Sequence, residues 1–149
     1  MAVTKAGPAE TDAEQALVNQ WRDILAVHAS TQCELDRELH PHGLGASDFE
    51  VLDVLATGLA EDGTDAFRVQ DIACQVHLSQ SALSRLIGRL EKDGLVERGM
   101  CNEDRRGVRV CLTDKGSKVH AEVRPVQRAV LARMLPGAVA QVQAAVTEA

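Results

Sequence analysis

The most restrictive feature of this 149-residue chain is a change of hydrophobic period across Gly94. Upstream lie two short helical patterns, Val69 to Val76 and Ser79 to Lys92, with only His77 and Leu78 between them. Downstream, Leu95-Val96-Glu97-Arg98 runs into a polar tip, Cys101-Asn102-Glu103-Asp104-Arg105-Arg106-Gly107. The chain then returns with Val108, Val110 and Leu112 on one face and Arg109 and Cys111 on the other. Strand side chains alternate between faces, whereas helical faces repeat every 3.6 residues, so the switch predicts two helices followed by a β-hairpin. Gly94 stands where a left-handed residue ends a helix.

The flanks are helical. Residues 1–11 read as a flexible tail. From Asp12 to Leu39 one long pattern places Leu17, Trp21, Ile24, His28, Leu35 and Leu39 near 3–4 spacing. At 1.5 Å per residue this helix runs about 40 Å, outreaches a core of this size and calls for a partner helix. Pro41-His42-Gly43-Leu44-Gly45 breaks it, and Ser47-Asp48-Phe49-Glu50 reads as a capping box opening a helix with Phe49, Leu52, Val54, Leu55 and Leu59. Gly58 to Asp65 reads as a loop. Thr113 caps a further helix from Asp114 to Leu135, in which Pro125 predicts a kink, and Ala138 to Val146 reads as a last short helix.

Composition narrows the class. One Trp, two Phe and no Tyr leave a core of Leu, Val, Ile and Ala, suited to helix packing. No apolar run reaches the length of a membrane span and Met1 to Gln15 lacks a signal-peptide stretch, so the expectation is a cytoplasmic chain with no membrane partner. Cys33, Cys74, Cys101 and Cys111 form no CxxC pair, which argues against a zinc ribbon or a disulfide framework. Cys33 and Cys74 are expected to be small buried apolar residues. There is no nucleophile elbow, P-loop or HExxH, so no enzyme is expected. Net charge is −6, but Arg85 to Lys118 carries nine basic against six acidic residues, +3, leaving −9 for the remainder. A basic segment on an acidic body steers a polyanion to one face.

Helix, two-residue turn, helix and two-stranded wing is the order of a winged helix-turn-helix, in which the second helix enters the DNA major groove. On Ser79 to Lys92 the buried side is expected to be Leu83, Leu86, Ile87 and Leu90, and the opposite side offers Ser79, Gln80, Ser81, Ser84, Arg85 and Arg89. Arg reads guanine N7/O6 in two bonds, Gln reads adenine, and Ser accommodates base edges or a phosphate. At the hairpin tip, Arg105 and Arg106 suit a narrow minor groove, where negative potential concentrates. Asp104 is placed to hold the Arg106 guanidinium.

Asp104-Arg105-Arg106-Gly107, with Leu112-Thr113-Asp114-Lys115-Gly116 after it, resembles the DxR…LTxxG signature of the multiple-antibiotic-resistance regulator (MarR) family. Leu78 to Leu86 and Arg89 to Val96 are similar to its recognition helix, and the resemblance runs from about Trp21 to Leu135. It implies a mainly α fold with a two-stranded wing, and a homodimer built from the first and last two helices. The division that follows is a dimerisation helix at 12–45, a winged helix-turn-helix lobe at 46–113 and C-terminal dimerisation helices at 114–149. It further implies a repressor-type regulator on a pseudo-palindromic duplex, with Arg106 in the minor groove and Arg68 and Ser47 near phosphates. The alternative is a winged-helix module that docks another protein.

For the switch, the resemblance implies a small aromatic acid in a cleft between dimer body and DNA-binding lobe, with Trp21, Arg22 and His28 as candidate lining. Trp21 reads more readily as a packing residue, since large apolar side chains on a helix stripe are usually core. No metal is expected: His28, Cys33, His40 and His42 lack a ligand spacing, and the metal-sensing branch's paired His is here His120 with Arg124. Hydroperoxide-sensing relatives use a Cys near the start of the first helix with Tyr partners, which this chain lacks. Cys101, flanked by Arg98 and Arg105, is the remaining redox candidate.

Overall fold

The computed structural model describes residues 9, 11–58, 66–100 and 108–137. Helix α1 runs Asp12–Leu39, as its hydrophobic pattern predicts. Thr11 caps it: its side chain accepts from Glu14 N at 3.2 Å while the Glu14 carboxylate accepts from Thr11 N at 3.0 Å. A single 3-10 turn, His40–His42, and Gly43 in the left-handed region (φ 75°) reverse the chain into α2, Ala46–Thr57. The helix therefore starts before Ser47, and the expected capping box is corrected. Gly45 is the N-cap, and the first amides are taken by carboxylates instead. Asp48 Oδ2 accepts from Gly45 N at 2.7 Å, and Asp36 Oδ1, from α1, accepts from Ala46 N at 2.8 Å.

A two-residue strand β1, Phe67–Arg68, precedes α3, Val69–Val76, and α4, Gln80–Lys92. The hairpin strands are β2, Val96–Met100, and β3, Val108–Leu112, paired antiparallel with Val96 opposite Leu112. The two-stranded wing is thus present as expected, and strand β1 adds to it by pairing with the other edge of β3, giving a three-stranded sheet in the order β1-β3-β2. Helix α5, Asp114–Met134, continues through Pro125. The short helix expected at Ala138 to Val146 lies outside the described residues.

The core gathers α2, α3, α4 and the sheet around Phe49, Leu52, Phe67, Ile72, Leu83, Ile87 and Val110, all fully buried. Both phenylalanines thus sit at its centre. Leu35 and Leu39 of α1 and Val123 and Val130 of α5 complete it. The first half of α1 stays uncovered: Leu17 is 65% exposed and Trp21 58%, with Ile24 and Leu25 close behind. Cys33 and Cys74 are also exposed, against expectation. Each lies two residues from a buried one, Cys33 from Thr31 and Leu35, Cys74 from Ile72, and two residues is about half a helical turn.

Three short segments lock together behind the wing. After α4, Gly94 adopts φ 77°, Gly94 N donates to Glu91 O at 3.0 Å and Leu95 N to Leu90 O at 2.9 Å, the paired bonds of a Schellman end. Thr113 then caps α5, accepting from Gly116 N at 3.0 Å while its hydroxyl donates to Gly94 O at 2.6 Å. Thr113 N donates to Leu95 O at 3.1 Å. A Cβ on Gly116 would lie 2.0 Å from Leu95 O, so only glycine lets α5 approach this closely. The LTxxG stretch is therefore a structural clasp between the ends of the wing and of α4.

Candidate nucleic-acid interface

Helix α4 is positioned by its apolar face. Leu83, Leu86, Ile87 and Leu90 are buried, as the 3.6-residue period predicts. Facing away, Ser79, Gln80, Ser81, Ser84, Arg85 and Arg89 are all exposed. The turn into the helix is tight because His77 takes a left-handed conformation (φ 56°, ψ 40°) at the end of α3. Ser79 is the N-cap, accepting from Ala82 N at 3.2 Å, with its hydroxyl 3.3 Å from that of Ser81. The N-terminal turns thus offer hydroxyls, a carboxamide and a guanidinium on one surface, with the positive end of the helix dipole behind them.

The two arginines of this face differ. Arg85 is exposed. Arg89, one turn on, bonds to Oδ1 of Asp48, which is nearly buried at the start of α2. Arg89 therefore ties the recognition helix to α2, a role its sequence position did not reveal. Arg68 is exposed as the N-cap of α3. Arg109 reaches from β3 to Ala66 O at 3.1 Å. Asp104, Arg105, Arg106 and Cys101 lie outside the described residues, and the described strands lead to and from that tip.

A second polar cluster joins α2 to α5. Asp53 accepts from Arg128 at 3.0 and 3.2 Å and pairs with His120 Nε2 at 2.7 Å. The His120 ring is stacked on Phe49, with centroids 5.4 Å apart. Gln127, almost fully buried, donates to Glu50 Oε1 at 3.2 Å. Although Glu50 keeps a solvent-exposed side, partial desolvation against α5, reinforced by neighbouring Asp53 and opposed by Arg128 and Gln127, raises its carboxyl above the usual carboxylate range. A sequence signal existed for part of this: Gln127 occupies an apolar position of the Val123–Val130 stripe.

Between α1, the start of α2 and the α3–α4 turn lies a cleft of about 970 Å³. Of the three proposed effector residues only His28 lines it; Trp21 and Arg22 do not, and Ser47 does. Among the described residues no group of three or more His, Cys, Asp or Glu side chains is arranged to hold a metal ion. None of the described helices is long and apolar enough to cross a membrane.

Three helices, a turn of three residues (His77 to Ser79, one more than the two expected because Ser79 is the cap and not the first helical residue) and an antiparallel wing define a winged helix-turn-helix protein. The MarR family profile matches residues 63–108, which include α3, the turn, the recognition helix and β2. AbsC, a MarR family transcriptional regulator from Streptomyces coelicolor, is 32% identical, with 93% of each chain covered and a TM-score of 0.72. Sco3205 from the same organism, solved in complex with DNA, is 26% identical with the same TM-score, over 97% of this chain and 92% of its own. The uncharacterised regulator YkoM of Bacillus subtilis is 27% identical over 86% of this chain and 79% of its own. The chain belongs to the MarR family of winged helix-turn-helix transcriptional regulators, which are not enzymes.

Proposed function

We propose that this regulator acts as a homodimeric repressor on a pseudo-palindromic operator and is released by a small-molecule effector. The observation that carries the reading is the N-terminal half of α4, whose exposed Ser79, Gln80, Ser81, Ser84 and Arg85 stand opposite a fully buried leucine-isoleucine stripe. Those groups suit base edges in a major groove. Arg68 and Ser47 approach phosphates, and Arg106, oriented by Asp104 and flanked by Arg105, enters the adjacent minor groove. Dimerisation is supported by Leu17, Trp21 and Leu25, an apolar row on α1 uncovered in the single chain. A two-fold dimer places the recognition helices about 34–36 Å apart, one turn of DNA, and so selects a duplex of about 16–20 bp.

The test is selection of bound duplexes from a random pool, followed by titration of variants on the selected site. Arg85→Ala is expected to cost about 1–3 kcal/mol and to relax preference at one base position. Arg106→Ala should weaken binding with less change in major-groove preference. Affinity should fall steeply with salt, since about 6–10 phosphate contacts release counterions. Wild-type affinity in both variants refutes the residue assignment. Failure to select any duplex, with a protein partner captured instead, favours the protein-docking alternative.

A further inference from the structure

The cleft of about 970 Å³ lies at the upper end of small-molecule sites. Its walls include Ile24, Val27, Leu35, Val76, Leu78 and Leu135. Its charged groups are of one sign: Asp23 from α1 and Glu50 from α2, with no Lys or Arg among the described lining residues. Arg128, the cation that acts on Glu50, is committed to Asp53 by two hydrogen bonds. His28 and His77 are the remaining titratable side chains of the lining.

A second observation is independent of charge. Thr31 lines the same cleft and is only 7% exposed, yet its Oγ1 has no hydrogen-bond partner among the described residues. Buried hydroxyls are nearly always paired, and this one, itself closed off from solvent, leaves a hydrogen bond to be made where the cleft wall yields to a ligand atom.

We propose that this cleft binds an amphipathic organic cation, its apolar body against the aliphatic walls, its protonated amine facing Glu50 and Asp23, and a polar atom meeting Thr31 Oγ1. The assignment rests on the effector reading above and gives that effector its chemical class. An aromatic acid, which the family resemblance implies, would instead bring its carboxylate beside two others, Asp23 and Glu50, on the solvent-facing side of the cleft. Like charges at short range repel there even with solvent screening. A cation approaching Glu50 offsets the partial desolvation that disfavours its charged form.

Calorimetric titration of the full-length protein with three near-isosteres tests this: naphthylmethylamine, naphthylmethanol and naphthoate, which share a body and differ in head-group charge. The amine is expected to bind about tenfold tighter than the alcohol, as a charge-assisted hydrogen bond exceeds a neutral one, and naphthoate weakest. Glu50→Gln should erase most of the amine's advantage and leave the alcohol's affinity in place. Asp23→Asn, on exposed α1 surface, should reduce the advantage should Glu50→Gln fail to fold. Naphthoate binding as well as the amine, or no binding of any of the three, overturns the assignment. Duplex binding is measured on the same preparation to separate the two readings. A protein that binds its selected duplex but lacks the amine preference leaves the regulator reading intact, and the converse sinks only that reading.

Discussion

Gly116→Ala sets a local rule against a tertiary one. In an exposed helix, Ala is favoured over Gly by about 0.8–1.0 kcal/mol, so propensity alone predicts a stabilised variant. The structure predicts the opposite, because the new Cβ would lie 2.0 Å from Leu95 O and 3.1 Å from Leu112 Cδ2. The obstacle is backbone, so α5 must retreat by about 1 Å to restore a normal contact, as overpacked sites do. That movement strains the clasp made by Thr113 N to Leu95 O, Thr113 Oγ1 to Gly94 O and Gly116 N to Thr113 Oγ1. Three bonds of about 1 kcal/mol each, less the propensity gain, leave a loss of about 2 kcal/mol. Gly88→Ala is the matched control: its Cβ meets nothing closer than 3.9 Å, at Arg98, and α4 should be stabilised or unchanged. Urea denaturation of both variants at fixed protein concentration reads the difference. A Gly116→Ala protein as stable as the parent, or shifted the same way as Gly88→Ala, refutes the clasp.

Three further outcomes are expected. Since partial desolvation raises the Glu50 carboxyl in the folded state, the native protein holds that proton more tightly than the unfolded chain. Stability is then lost as pH rises from the ordinary value of 4.5 through the folded one, so Glu50→Gln should raise the melting temperature at neutral pH and lose that gain below 4.5. His77→Gly should shift stability upward by about 1 kcal/mol or less, because glycine relieves the left-handed strain while gaining freedom in the unfolded chain; thermal denaturation showing a larger loss would assign the imidazole a contact of its own. Leu17→Asp, at the most exposed large apolar side chain among the described residues, should move the protein toward monomer in sedimentation equilibrium and weaken duplex binding in parallel.

What the sequence made legible was periodic and local. The stripe Leu83-Leu86-Ile87-Leu90, the cap at Thr113 and the left-handed Gly94 each follow from a few neighbouring residues, and each is found in place. Strand β1 was not legible because two residues, Phe67 and Arg68, show no period; pairing with β3 makes them a strand. The start of α2 was misread because its amides are met by Asp36, ten residues back on α1, as well as by Asp48. Cys33 was assigned to the interior on the average behaviour of cysteine, although the helical phase of Leu35 and Leu39 points it outward. Arg89 has the composition of a DNA contact, and only a partner 41 residues away, Asp48, turns it into a brace.

Helix α2 is the element on which these contacts converge. Asp48 holds Arg89 of the recognition helix, Glu50 meets both the cleft and Gln127, and Asp53 holds His120 and Arg128 of α5. A ligand that engages Glu50 therefore acts on a helix already fastened to α4 on one side and to α5 on the other. Packed interfaces of this kind move between discrete arrangements and do not deform continuously. To lower operator affinity 100-fold, such a ligand must distinguish the two arrangements by about 2.8 kcal/mol, within the usual range of allosteric coupling. Coupling is reciprocal, so saturating operator must weaken the amine's binding by that same factor. Titrating naphthylmethylamine with and without the selected duplex measures it directly. Release of DNA by the amine, together with equal amine affinity in the two titrations, would show that the amine acts elsewhere than through α2.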